Sequence, residues 1–163
     1  MLSKTMQDAI NEQIKNEMYS AYLYLAMAVY LEALNLTGSA KWMRTQFGEE
    51  QVHALKLVDH VLDRGGRVKL KALDAPPADF ASPLAVWETT LEHEKKVTAM
   101  IHNLYAQAVK ENDYPAQTLL HWFINEQVEE EKNAATMAER FKQAGSTPGA
   151  LMIADVHLTK RDE

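Results

Sequence analysis

"GGRVKLKALDAPPADFAS", residues 65–82, opens on a glycine pair and closes on a proline-containing run. The glycines end one helical pattern, and Pro76-Pro77 forbid its continuation. Every other break is short: Gly38, "ENDYP" (111–115) and "AGSTPG" (144–149). Between the breaks lie four long segments, about 5–35, 39–64, 83–111 and 115–144, and a short one at about 148–159. All five read as helices. Ser39, Ser82 with Pro83, and Thr147 with Pro148 are placed to start helices, and Gly65 and Gly145 to end them. Gly48 falls inside a helical pattern, where it costs stability unless close packing requires it.

The linkers set the topology. Short turns after the first and third helices make antiparallel hairpins. The connection 65–82, fully extended, spans roughly 55 Å, whereas a helix like the second is about 40 Å long. It can therefore run the length of the molecule and set the second and third helices parallel. The expected fold is an all-α four-helix bundle with one long crossover and a short C-terminal fifth helix. The whole of 1–163 is expected to be a single domain, with the bundle at about 5–144.

Alternating three- and four-residue spacing picks out the buried stripes. The first runs Ile10, Ile14, Glu17, Ala21, Tyr24, Ala28, Leu31, and the second Met43, Phe47, Glu50, Ala54, Leu57, Val61. The third runs Leu84, Trp87, Leu91, Glu94, Thr98, Ile101, Tyr105, Ala108. The fourth runs Ala116, Leu120, Phe123, Gln127, Glu130, Ala134, Met137, Phe141. Each stripe is apolar except near its middle, where it carries a carboxylate. In a bundle with this crossover, those levels coincide.

Four carboxylates in a low-dielectric core either share protons or bind cations. His53, one turn from Glu50, favours cations, because carboxylate oxygen and imidazole nitrogen together suit iron, manganese or zinc. Glu50 is placed to bridge two metals, with Glu17 and His53 completing one site and Glu94 and Glu130 the other. Gln127 is placed to hydrogen-bond a ligand, and Tyr24 to orient a carboxylate or supply an electron. The plainer reading of Tyr24 is a core aromatic with a satisfied hydroxyl. Glu49, Glu126 and Glu129 form a second layer, read either as a solvated face or as a third cation position sharing Glu130. His60, His93, His102, His121 and His157 lack a carboxylate at persuasive spacing and read as surface or packing residues.

Composition narrows the chemistry. The chain has no cysteine, which excludes thiolate catalysis, iron–sulfur clusters and Cys-ligated zinc. With 23 acidic against 17 basic residues, the net charge of −6 argues against nucleic-acid and membrane-surface partners and suits cations. The start of the chain lacks the basic-then-apolar pattern of a secretory signal, so a cytoplasmic location is expected.

With "NEQIKNEMYSAYLYLAM", "GEEQVH" and "NEQVEEEK" in hand, nearly the whole chain resembles a non-haem bacterial ferritin. The resemblance implies a ferroxidase centre with Glu17, Glu50 and His53 in one half and Glu50, Glu94 and Glu130 in the other. It implies an additional iron site at Glu49, Glu126, Glu129 and Glu130, with Tyr24 and Gln127 beside the centre. Fe(II) would be oxidised by O2 or H2O2 and stored as ferric mineral inside a hollow homo-oligomer of twenty-four subunits, the fifth helix lining its four-fold channel. Bacterioferritin has a second Glu-x-x-His on the fourth helix and a haem-ligating methionine after the second-helix glutamate. Here those positions read Gln127-x-x-Glu130 and Gln51, so no haem is expected. Two rival readings are a small-oligomer di-iron oxidase or peroxidase, and a structural bundle whose buried acids specify register.

Overall fold

A computed structural model of the chain describes residues 1–160, with backbone alone at 159 and 160. The last three residues of the expected domain 1–163 lie outside the described residues. Five helices follow one another: α1 (Lys4–Ala33), α2 (Thr37–Asp63), α3 (Pro83–Lys110), α4 (Tyr114–Ala144) and α5 (Pro148–Val156), with a 3-10 turn at His157–Lys160. No strand occurs among the described residues.

Local chemistry accounts for most of the boundaries. Ser3, Ser82 and Asp113 each accept a hydrogen bond from a backbone N–H of the first turn that follows, capping α1, α3 and α4. Gly145 ends α4 at φ +62°, a left-handed backbone that glycine adopts without a side-chain penalty. The start of α2 differs from expectation. Ser39 is not its cap; the helix begins two residues earlier, and Leu36 at the cap position offers no side-chain bond. The missing acceptor comes from α5. Buried Asp155 takes the N–H groups of Gly38 (2.9 Å) and Ser39 (2.7 Å) and the Ser39 hydroxyl (2.6 Å). A carboxylate there also meets the positive end of the helix dipole. The approach requires Gly38, since a Cβ would lie 2.1 Å from the Asp155 carbonyl oxygen.

Helix directions follow from contacts across the bundle. Between α1 and α3, Met27 meets Thr90 and Tyr24 meets Glu94, while Ser3 meets Glu111, so the two run antiparallel. Between α2 and α4, Gln46 meets Glu130 and Arg64 meets Asp113, again antiparallel. With the two hairpins, this makes α2 and α3 parallel. The crossover lies along α1 as the length argument requires: Asn11 holds Arg67 and Lys69 (3.0 and 2.8 Å), and Phe80 stands edge-on to Tyr30 near the other end.

The buried stripes match the spacing closely on α1 but are shifted on α3. Thr90, Val97 and Leu104 are buried there, whereas Leu91, Thr98 and Tyr105 are only half-buried. Strict 3/4 alternation selects one of two residues flanking a seam, and a globular helix buries a wider arc. On α2 the buried residue is Gln46, with Phe47 half-buried beside it. Gly48 has no close neighbour: a Cβ would meet nothing within 4 Å, so packing does not require it. The apolar core falls into two clusters. One gathers Tyr24, Met27, Trp87 and Phe141, the other Met6, Ile14, Leu57 and Phe123. A polar layer separates them.

Candidate metal centre

One carboxylate from each long helix enters that layer. Glu17, Glu50, Glu94 and Glu130 are 1%, 2%, 1% and 4% exposed, and His53 is 5% exposed. Each sits near the middle of its helix, and no lysine or arginine stands one turn away to neutralise it.

On one side, Glu17, Glu50 and His53 bring ligand atoms within 4.8 Å of one another. Gln13, one turn before Glu17, donates to its Oε1 at 2.8 Å and fixes the carboxylate. His53 Nδ1 lies 3.3 Å from Glu50 Oε2, and that oxygen has no hydrogen-bond partner although fully buried. The imidazole is held edge-on by Trp122 and Phe123, with ring centroids at 5.3 and 6.1 Å. On the other side, Glu94 accepts from the Tyr24 hydroxyl and, at 3.1 Å, from Gln127 Nε2. Glu130 accepts from Gln46 Nε2 at 3.0 Å.

The electrostatics follow from this crowding. Burial raises Glu17 well above the ordinary carboxylate range, and the Glu50 charge raises it further. Burial and the charge of Glu94 do the same to Glu50. Glu94 is also raised by burial, but less, because the bonds from Tyr24 and Gln127 stabilise its anion. Burial and Glu94 push Glu130 up to about 7. Burial, with Glu94 beside it, keeps the Tyr24 phenol protonated far into the alkaline range. Without a cation, the cluster therefore holds protons at neutral pH; a divalent ion that displaces them relieves the repulsion.

The second layer is arranged differently from its expected grouping. Glu126, half-buried, joins Glu130 and His53 with ligand atoms within 4.8 Å, making His53 common to both groups. Glu49 is half-buried, and its charge acts on both Glu50 and Glu130. Glu129 is exposed and enters neither group. Gln13 and Gln46 join the site without a signal of their own in the stripes. Gln13 stands four residues before the Glu17 it bonds, the spacing at which a helix pairs side chains, whereas Gln46 reaches Glu130 on another helix.

A ferritin-like domain family model matches residues 7–144. The chain belongs to the ferritin family. It is 41% identical over 161 residues to a bacterial non-heme ferritin of Bacteroides fragilis, covering 99% of this chain and 100% of that one. A bacterial non-heme ferritin of Staphylococcus aureus is 34% identical over 161 residues, covering 99% and 97%. Among solved structures, an open-pore ferritin from the hyperthermophilic archaeon Archaeoglobus fulgidus superimposes with a TM-score of 0.97 at 44% identity, covering 99% and 100%. An engineered closed form of that archaeal ferritin gives the same TM-score and identity, covering 99% of each chain. The ferritin fold thus extends over nearly the whole chain, and its mid-bundle polar layer is where four helices aim their acids.

Proposed function

We propose that this ferritin oxidises Fe(II) at the mid-bundle cluster and stores the product as ferric mineral inside a hollow shell of its own copies. The observation that carries this reading is one buried carboxylate from each of four helices in a single layer, with His53 grouped with Glu17 and Glu50 and with Glu130, and Glu50 Oε2 left as an unpartnered acceptor in the interior. An anion so placed is costly unless a cation fills the space beside it. Glu17, Glu50 and His53 would bind one Fe(II), and Glu50, Glu94 and Glu130 the other. Each Fe(II) gives up one electron, so a pair reduces O2 to H2O2, or H2O2 to water. Tyr24 and Gln127 hold Glu94 during the change in iron charge. Glu126, with Glu130 and His53, provides an adjoining position for a third iron, and Glu49 and Glu129 make its approach more negative. We read the entire chain, 1–163, as one cytoplasmic domain of this kind. The exposed apolar face of Met152, Ile153 and Val156 on α5 supports assembly, because a monomer would leave it in water.

Aerobic addition of Fe(II) tests the proposal, following ferric absorbance and the mass of the particle. Ferric absorbance should grow inside a large particle containing about two dozen chains, and Glu50→Ala should abolish the fast phase. Anaerobic titration should find about two tight Fe(II) sites per chain. Fewer sites, or unchanged oxidation in Glu50→Ala, would overturn the ferroxidase reading; a small oligomer that oxidises an organic substrate would overturn storage.

A further inference from the structure

A cavity of about 530 Å3 lies between α1, α3 and the crossover, separate from the metal cluster. That volume is in the range of small-molecule sites. Tyr19 and Leu23 of α1, Val97 and Met100 of α3 and Pro77 of the crossover form its walls, with the His93 ring among them. Exposed Glu88, Glu92 and Lys96 stand at its mouth.

His93 is one of the polar side chains that line this space. Its Nε2 lies 2.8 Å from the Ser20 hydroxyl oxygen. Ser20 gives its one proton to the Asn16 carbonyl at 3.1 Å, so Nε2 carries the hydrogen and donates to Ser20. Nδ1 is then the acceptor nitrogen of the ring. The same ring stands edge-on to Tyr24, with centroids 5.9 Å apart, and the Tyr24 hydroxyl donates to Glu94 of the cluster. Two rings and one hydrogen bond join the cavity to the candidate metal centre.

We propose that this cavity binds a neutral dihydroxyaromatic reductant of the hydroquinone class, which returns electrons to ferric iron at the cluster. The inference rests on the iron-oxidising reading of that cluster. Tyr19 and His93, in contact with each other at a ring-centroid distance of 6.1 Å, both line the space and offer aromatic surface to a flat ring that enters it. A phenolic O–H finds its acceptor in Nδ1. Two carboxylates against one ammonium at the mouth oppose carriers bearing phosphate or carboxylate groups. In the reaction the hydroquinone loses two electrons and breaks two O–H bonds to become a quinone. Two Fe(III) ions each gain one electron, and the two protons leave to water at the mouth. Stored ferric iron needs such a reductant to become soluble Fe(II) again.

Binding and electron delivery are tested separately. Fluorescent 2-naphthol, which has one phenolic donor, is titrated into the metal-free assembled protein. It should bind saturably, and at least tenfold more weakly to Met100→Trp, which fills the cavity, and to His93→Phe, which keeps a ring but removes the acceptor. Next, 1,4-naphthohydroquinone is added anaerobically to iron-loaded protein and Fe(II) is trapped with a chelator. Release should saturate with hydroquinone in the wild type and lose that saturation in Met100→Trp, whose Fe(II) oxidation stays unchanged. Absence of saturable naphthol binding, insensitivity to Met100→Trp, or saturable release that survives that substitution would each overturn the site. If Fe(II) oxidation itself is absent, the ferroxidase reading fails, and the naphthol titration still decides whether the cavity binds this class of ring.

Discussion

Glu130→Gln should make the metal-free protein more stable in alkaline solution. The carboxyl is 4% exposed, and burial with the Glu94 charge moves its pKa from 4.5 up to about 7. A group with a raised folded-state pKa holds its proton more tightly in the fold than in the unfolded chain. Its favourable contribution is therefore complete below about pH 4.5 and is lost as pH rises through 7. A gap of this size corresponds to about 3 kcal/mol at pH 8 and to less than about 1 kcal/mol at pH 5. Glutamine has the same shape without the charge, and its amide oxygen still accepts from Gln46, which now donates at 3.0 Å. The substitution should therefore add about 3 kcal/mol at pH 8 and little at pH 5. Chelator-treated protein, unfolded in denaturant at both pH values with assembly state held constant, provides the measurement. A gain of equal size at both pH values, or a loss at pH 8, would refute the account of Glu130 as a carboxylate strained by its neighbours. Titration with Zn(II), which is redox-silent, completes the test: wild type should gain stability from the metal and the variant much less.

Zn(II) binding to the metal-free chain at pH 6.5 in weak buffer should release roughly one to two protons per chain, fewer above pH 8, because the raised carboxylates hold protons only at lower pH; release independent of pH would contradict this. Tyr24→Phe removes the hydroxyl bond to Glu94 and should slow Fe(II) oxidation roughly three- to tenfold in stopped flow, with Zn(II) still bound. Asp155→Ala strips three hydrogen bonds from the start of α2 and should cost about 2–4 kcal/mol by calorimetry, while limited proteolysis should cut near α5 first. Gly48→Ala should add roughly 0.5–1 kcal/mol, since the helix gains a better former and nothing lies within 4 Å to resist the methyl.

The parts of this protein that are legible in sequence are those set by local spacing and by cost. A glutamate in the middle of an apolar stripe is expensive, so the positions of Glu17, Glu50, Glu94 and Glu130 by themselves imply a shared buried layer. The length of the crossover by itself implies the helix directions. Gln13 and Gln46 are silent for the opposite reason: an uncharged amide in a stripe is cheap enough to occur anywhere, and only the carboxylate it bonds gives it meaning. On α3 the spacing selects Leu91, Thr98 and Tyr105, which the fold leaves half-buried, because spacing fixes a seam but not the width of the arc that neighbouring helices cover.

The cap of α2 marks the boundary of what local pattern can supply. Ser39 has the right chemistry to begin a helix, yet its hydroxyl and N–H both serve Asp155, 116 residues away. No window on the sequence near Ser39 contains that partner. The same arrangement ties the two ends of the functional reading together. Asp155 belongs to α5, whose Met152, Ile153 and Val156 are exposed, while α2 carries Glu50 and His53 into the cluster. Through one buried carboxylate, α5 is docked on the helix that carries Glu50 and His53. The helix start is thereby completed only when α5 is in place.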